Sequence, residues 1–236
     1  NDGIIATGTF GVGSTFDLPA GEGTRMLWIP QKAAFRAGYA AGSQWDADSV
    51  GNYSMALGHS AKASGSYSTA LGLFTTARGN NSTAIGNNGR ASGIGSTALG
   101  NQVTAGGDYS SAVGNFVDTN GKKGSFALGD RSTNAVLTSS AEDQFSARFA
   151  GGYRLFTNAA MSVGVSLEAG SNSWGVISDS TKKEGFRPAD GQSFLQKIAG
   201  MRLGSWNYRG QDSKTFRHWG PMAQDFFAAF GQDGVG

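Results

Sequence analysis

The sequence predicts a mainly β protein: a column of short two-strand coils, a run of further strands, and a small α+β module at the C-terminal end. Three observations carry this. A 14-residue phrase recurs in register through the middle of the chain, alternating apolar residues without that period follow it, and at Ser178 the composition turns more charged and less glycine-rich as helical patterns begin.

Composition narrows the class first. At 236 residues the chain is long enough for one large domain or two ordinary ones. Glycine takes 38 positions, but four prolines and the lack of a Gly-X-Y period exclude collagen. Aromatic residues at 11 % argue against generic disorder. A formal charge of +2 with no basic run makes nucleic acid a poor partner. No apolar run reaches the roughly 20 residues of a membrane-spanning helix. Cysteine is absent, which fits extracellular and cytosolic folds alike. The opening "NDGIIATG" lacks Met and reads as part of a longer protein.

Residues 1–50 form the first region. The stretch "TRMLWIPQKAAFRAGYAAGSQWD" carries Trp28, Pro30, Phe35, Tyr39 and Trp45. A stack of coils has an open end that must be covered, so these read as an aromatic cap. The other reading of the same residues is a sugar-binding platform.

The repeats occupy 51–134. Gly58, Gly72, Gly86, Gly100 and Gly114 keep a constant step, as do Ser54, Ser68, Ser82, Ser96 and Ser110, and Ala56, Ala70, Ala84, Ala98 and Ala112. Each Ala is followed by an aliphatic residue: Leu57, Leu71, Ile85, Leu99 and Val113. A sixth copy, "GSFALG", slips by one residue to Ser125, Ala127, Leu128 and Gly129. Fourteen residues suit one coil of two short strands and two turns, and glycine supplies the turn conformations. In S-x-A-[LIV]-G the Ala and the aliphatic residue point to opposite faces. The expectation is that the aliphatic face fills the coil and the Ala face stays flat for a neighbouring chain. Stacked at roughly 4.8 Å per step, six coils make a rod segment of about 25–30 Å. One coil buries little, which predicts self-association, and three chains around an axis would close it.

The phrases "NYSMALG", "YSTALG", "NSTAIG" and "GSTALG" resemble the head repeats of trimeric autotransporter adhesins, the YadA-like head. The resemblance implies a trimeric left-handed parallel β-roll displayed outside the cell. Thr69, Thr83, Thr97 and Ser111 stand where that family commonly carries Val, which suggests a more polar roll interior.

In 135–177 the period disappears. Phe145, Ala147 and Phe149, then Tyr153 and Leu155, then Met161, Val163, Val165 and Leu167 alternate as strands, with a Gly151-Gly152 turn joining the first two. These read as an interwoven β neck or, alternatively, a receptor-binding tip.

The module 178–236 shows two helical patterns. The first has Asp190 as N-cap, Phe194, Leu195, Ile198 and Ala199 on one face, and a stop at Gly200. The second places Pro221 in its first turn, then Met222, Phe226, Phe227 and Phe230, with Gly231 as the stop. Between them "LGSWNYRGQDSKTFRHWG" reads as a hairpin around "RGQDSK". The opening "SDSTKK", the "WNY" strand and "HWGPMAQDF", in that order, resemble the C-terminal intramolecular chaperone of endosialidases and other phage tail spikes and fibres. The resemblance implies a domain that registers three chains of a fibre and, in many members, cuts itself off. It places the cut between Ser178 and Asp179, with Ser178 as nucleophile, Lys183 as base and His218 assisting. A lysine serves as base only where burial lowers its pKa. It also implies C-terminal helices that this sequence lacks, so the module reads as incomplete. Gln224 and Asp225 read as groups that hold the fold.

Other signals are empty. "GVGSTFD" lacks the Gly-Lys-Ser/Thr ending of a phosphate loop. His59 and His218, far apart and without cysteine, make no zinc site, and Asp108, Asp118 and Asp130 follow no calcium-loop pattern. No cofactor and no metal are expected. No pair of carboxylates stands where a glycan-cleaving site would need it. The expected function is a homotrimeric extracellular fibre that presents a binding head to a glycan or protein on a host or prey cell. The alternative is a phage-type tail fibre that removes its own chaperone after assembly, and single-turnover autoproteolysis is then its one enzymatic step.

Overall fold

The structure is a computed structural model that describes residues 5–12, 20–176, 185–186 and 188–231. The chain divides into two compact units, Asn1–Ile177 and Ser178–Gly236.

The first unit is built on a 13-stranded sheet. Strands β1 (Gly23–Ile29) and β2 (Ala34–Ala40) form an antiparallel hairpin, turned by the 3-10 segment Pro30–Lys32. From β2 onward the sheet is parallel, and the repeats fold into coils of two strands. These are β3 (Met55–His59) with β4 (Lys62–Ala63), β5 (Thr69–Leu73) with β6 (Thr76–Ala77), and β7 (Thr83–Asn87) with β8 (Arg90–Ala91). In the next two coils both walls lie in one bent strand, β9 (Thr97–Ala105) and β10 (Ser111–Asp118). The stack ends with β11 (Phe126–Gly129), β12 (Leu137–Thr138) and β13 (Phe145–Arg148). The solenoid makes about five turns over 55–129.

Register follows the repeat. Leu57 lies opposite Leu71 and Gly58 opposite Gly72, and the one-residue slip appears as Ser111 opposite Phe126. Two glycine columns make the stacking close. Gly72 has φ +119°, and a methyl group there would overlap the carbonyl of Gly86; one at Gly65 would overlap the carbonyl of Gly79.

Which face turns inward is the reverse of the expectation. Ala56, Ala70, Ala84, Ala98, Ala112 and Ala127 are fully buried, with Ser54, Ser68, Ser82, Ser96, Ser110 and Ser125 beside them, whereas Leu71, Leu99 and Val113 are only half-buried and Ile85 is exposed. The second wall adds Ala63, Ala77, Ala91, Ala105, Val103 and Val117 to the same interior. A two-walled coil of 14 residues is too thin to hold a Leu from each turn, so it closes on Ala and Ser. All of these serines but Ser82 bond to the carbonyl three residues back: Ser68 Oγ donates to the Gly65 carbonyl at 2.6 Å, and Ser96 and Ser110 repeat the bond to Gly93 and Gly107 at 2.7 Å. Thr69, Thr83, Thr97 and Ser111 accordingly lie on the outer face with the aliphatic row, so they do not make the interior more polar.

At the N-terminal end of the stack, Trp45 is the one residue of those read as a cap that is buried. Trp45 is fully buried and its Nε1 donates to the Ala61 carbonyl at 2.8 Å. Arg36, between the outward residues Phe35 and Ala37 of β2, points inward and is also fully buried. Trp28 is 41 % exposed, on the opposite face.

The Gly151-Gly152 turn does not join a hairpin. Strand β13 pairs parallel with β11, Phe126 opposite Phe145, and so extends the stack. Strand β14 (Tyr153–Phe156) instead starts a separate antiparallel sheet with β15 (Gly164–Leu167) and β16 (Gly175–Val176). The two sheets are tied by Tyr153 Oη, which donates to the Ala147 carbonyl at 2.6 Å.

In the second unit, α1 (Gly191–Ala199) is capped by Asp190, whose carboxylate accepts from the Gln192 N–H. Strands β17 (Leu203–Trp206) and β18 (His218–Pro221) form the expected antiparallel hairpin. Helix α2 (Ala223–Phe230) ends at Gly231. Its N-cap is Met222, and Pro221 closes β18 instead of opening the helix, because its fixed φ also suits a strand end with no ladder donor required.

Candidate functional site

The outer face of the long sheet carries two rows of side chains that the single chain leaves open. One row runs in direct register from Met26 and Ala37 through Leu57, Leu71, Ile85, Leu99 and Val113 to Leu128. The other begins with Trp28, Phe35 and Met55, continues with three Thr and a Ser, and ends at Phe126 and Phe145. The rings of Phe126 and Phe145 stack at 5.9 Å. An unbroken aliphatic stripe with aromatic residues at both ends is costly in water, since burying one such side chain contributes about 1.5–3 kcal/mol. It fits a flat partner of the same kind, and the threonines allow close approach.

Two residues that hold this face in place carry no motif. The Arg36 guanidinium donates from Nη1 to the carbonyls of Phe35 (2.8 Å) and Ser54 (2.9 Å), and from Nη2 to Ser54 Oγ and the Ala63 carbonyl (both 2.8 Å). Burial pushes its pKa down to about 10, so it remains a cation at neutral pH, paired with carbonyl and hydroxyl dipoles. Its inward position was readable from the alternation around Phe35 and Ala37. At the other end, Asp130 accepts from the Ala150 N–H (2.7 Å) and from Ser132 Oγ (2.7 Å), and pairs with Arg148 at 3.4 Å. The Ala150 amide first, then Ser132 and Arg148, hold its carboxyl down at about 2. This clasp ties the loop after β11 to the end of β13.

In the C-terminal unit the hairpin and α2 line an open apolar groove of about 1230 Å³, with Trp206, Tyr208, Met222 and Phe227 among its walls. Phe194 of α1 meets Phe230 of α2 at 4.9 Å, and Arg202 grips Asp225 through two hydrogen bonds of 2.7 and 3.2 Å. Asp225 thus links α2 to the residue that precedes β17. Leu195, Leu203, Trp219 and Phe227 are each more than half exposed.

Of the three residues assigned to self-cleavage, Ser178 and Lys183 lie outside the described residues. His218 stacks on Trp206 at 4.7 Å, and its Nε2 stands 3.2 Å from Gln211 Oε1. The structure brings it together with aromatic neighbours inside the hairpin.

A rod of stacked coils with an open apolar face, followed by a small module with its own uncovered apolar surface, defines a fibre protein assembled from several copies. Residues 49–75, 68–88 and 91–116 match the family model described as the YadA head domain repeat, and residues 178–235 match the one described as the chaperone of endosialidase. None of the curated proteins matches the chain. The chain thus carries YadA head repeats and an endosialidase-type chaperone module, two matches that support a trimeric adhesin- or tail-fibre-like protein and imply self-association as a trimer.

Proposed function

We infer that the protein is the outer part of a homotrimeric extracellular fibre that presents a binding head to another cell surface, with a C-terminal chaperone that sets three chains in register. The observation that carries this reading is the aliphatic row from Met26 to Leu128, a surface that makes sense only when covered by copies of itself. The organisation is 1–50 cap, 51–134 head repeats, 135–177 neck and 178–236 chaperone, with β13 of the stack falling in the neck segment. Three equivalent sites on each fibre strengthen attachment through multivalency. No helix among the described residues is long and apolar enough to cross a membrane. The test is adhesion of fluorescently labelled trimer to bacterial and animal cells, some treated with protease and some with periodate. Saturable adhesion that one of the treatments removes is expected; no adhesion to any surface would reject the reading.

The second reading, a fibre whose chaperone releases itself, is favoured by one observation: the chaperone match begins at Ser178. There Lys183 takes the Ser178 hydroxyl proton as that oxygen attacks the carbonyl carbon of its own peptide bond to Asp179, closing a four-membered lactone, and His218 assists. The Asp179 amine leaves with the proton returned by Lys183, and water then opens the lactone to the Ser178 carboxylate.

A further inference from the structure

The corner of each coil that leads into the long wall carries one left-handed residue: Tyr53, Tyr67, Asn81, Gly95 and Tyr109, all with φ between 54° and 62°. That backbone favours glycine and asparagine, and a bulky side chain there is an outlier. Asn81 and Gly95 show that the coil accepts the unstrained residues. The three tyrosines therefore hold rings on this corner against local preference, which points to a use for them.

Mutual stacking accounts for two of the three. Phe10 lies on Tyr53 at 4.6 Å and Tyr53 on Tyr67 at 4.8 Å. It does not account for Tyr109, which meets no other ring among the described residues and is 73 % exposed. Its ring rests over Gly95, where an added Cβ would stand 3.0 Å from Tyr109 Cδ1. Between Tyr67 and Tyr109 the column is stripped to Asn81 and Gly95. Three coils at about 4.8 Å each set the two tyrosines about 14 Å apart. The polar groups of this opening are neutral or already engaged. Asn80 Oδ1 accepts from the Ser66 N–H at 3.0 Å, and Asp108 Oδ1 from the Ile94 N–H at 2.9 Å. The exposed Asn81 amide remains between the rings.

We propose that this corner is a binding site for an uncharged oligosaccharide, with sugar rings seated on Tyr109 and Tyr67 and a hydroxyl held by the Asn81 amide. A sugar ring presents an apolar face of C–H groups and a rim of hydroxyls. The first matches an aromatic face with a polar tip, the second an amide that can both donate and accept. The Asp108 carboxylate, next to Tyr109, borders the opening and disfavours an acidic glycan there. The proposal rests on the adhesin reading above and names its ligand class.

The probes are three neutral hexaoses, the β- and α-linked hexamers of glucose and the hexamer of N-acetylglucosamine, added to the full-length trimer. Saturation transfer from tyrosine ring protons to at least one of these sugars is expected. Tyr109→Ala should weaken affinity about tenfold, while Tyr109→Phe keeps it within about threefold because the ring face survives. No transfer to any of the three sugars overturns the proposal, as does transfer that Tyr109→Ala leaves unchanged. A Tyr109→Ala chain that no longer forms trimers also overturns it, since the ring is then a contact between subunits. Cell adhesion is scored on the same samples: adhesion without sugar binding rejects this site alone, and no adhesion rejects the reading beneath it.

Discussion

At the scale of single residues, the rod depends on groups whose roles are set by space and solvation. Arg36 is a buried cation, and three of its four hydrogen bonds tie β2 to the first repeat through Ser54 and Ala63. Arg36→Ala leaves those acceptors unmatched and opens a cavity, and should cost about 2–4 kcal/mol in urea denaturation. Arg36→Lys should rescue little, because a single ammonium cannot span the positions that the planar fork reaches. A lysine variant as stable as the parent would refute this role. Asp130 makes a pH prediction. Its folded pKa of about 2 is below the ordinary value of about 3.9, so the carboxylate's contribution is present above about pH 4 and is lost as pH falls towards 2. NMR titration of the Asp130 side chain should show a midpoint near 2. In Asp130→Asn, loosening of the β13 end should no longer vary across that window, as read by amide exchange at Ala150.

At the scale of elements, period-2 alternation told which residues share a face and the 14-residue step told which residues pair, down to the slip at Ser125. It did not tell which face turns inward. That choice depends on the width of the closed coil, which admits Ala and Ser from both walls but not Leu, and no local pattern encodes that width. The pairing of β13 was hidden for a related reason. The 19-residue step from Phe126 to Phe145 carries no repeat, and the visible Gly151-Gly152 turn suggested a hairpin. The chaperone hairpin and the Asp190 cap were legible because each is local. Pro221 was misplaced because proline suits both a helix start and a strand end. The self-cleavage residues were legible only through resemblance, since a Ser-Asp beside lysines has no distinctive spacing. The inverted faces lead to a direct experiment. Leu99→Asp puts a charge in the middle of the aliphatic row and should reduce sedimentation to that of one chain. Thr76→Asp, on the other wall, should leave it unchanged. The opposite pattern would move the interface to the second wall.

At the scale of the whole molecule, the two halves solve one problem. A stack of thin coils keeps its larger side chains outside, so it must assemble to bury them, and a parallel rod can assemble in many registers because its steps are alike. In the proposed fibre, a C-terminal module that brings three chains together at one end selects a single register. The rod then carries three copies of the tyrosine corner at the same height. The measurement that tests this most directly is the mass of the full-length secreted product, native and then denatured. A native mass of three chains is predicted, with the denatured chains either intact, as in a retained chaperone, or cut to begin at Asp179, as in a self-processing fibre. A native mass of one chain would contradict the account.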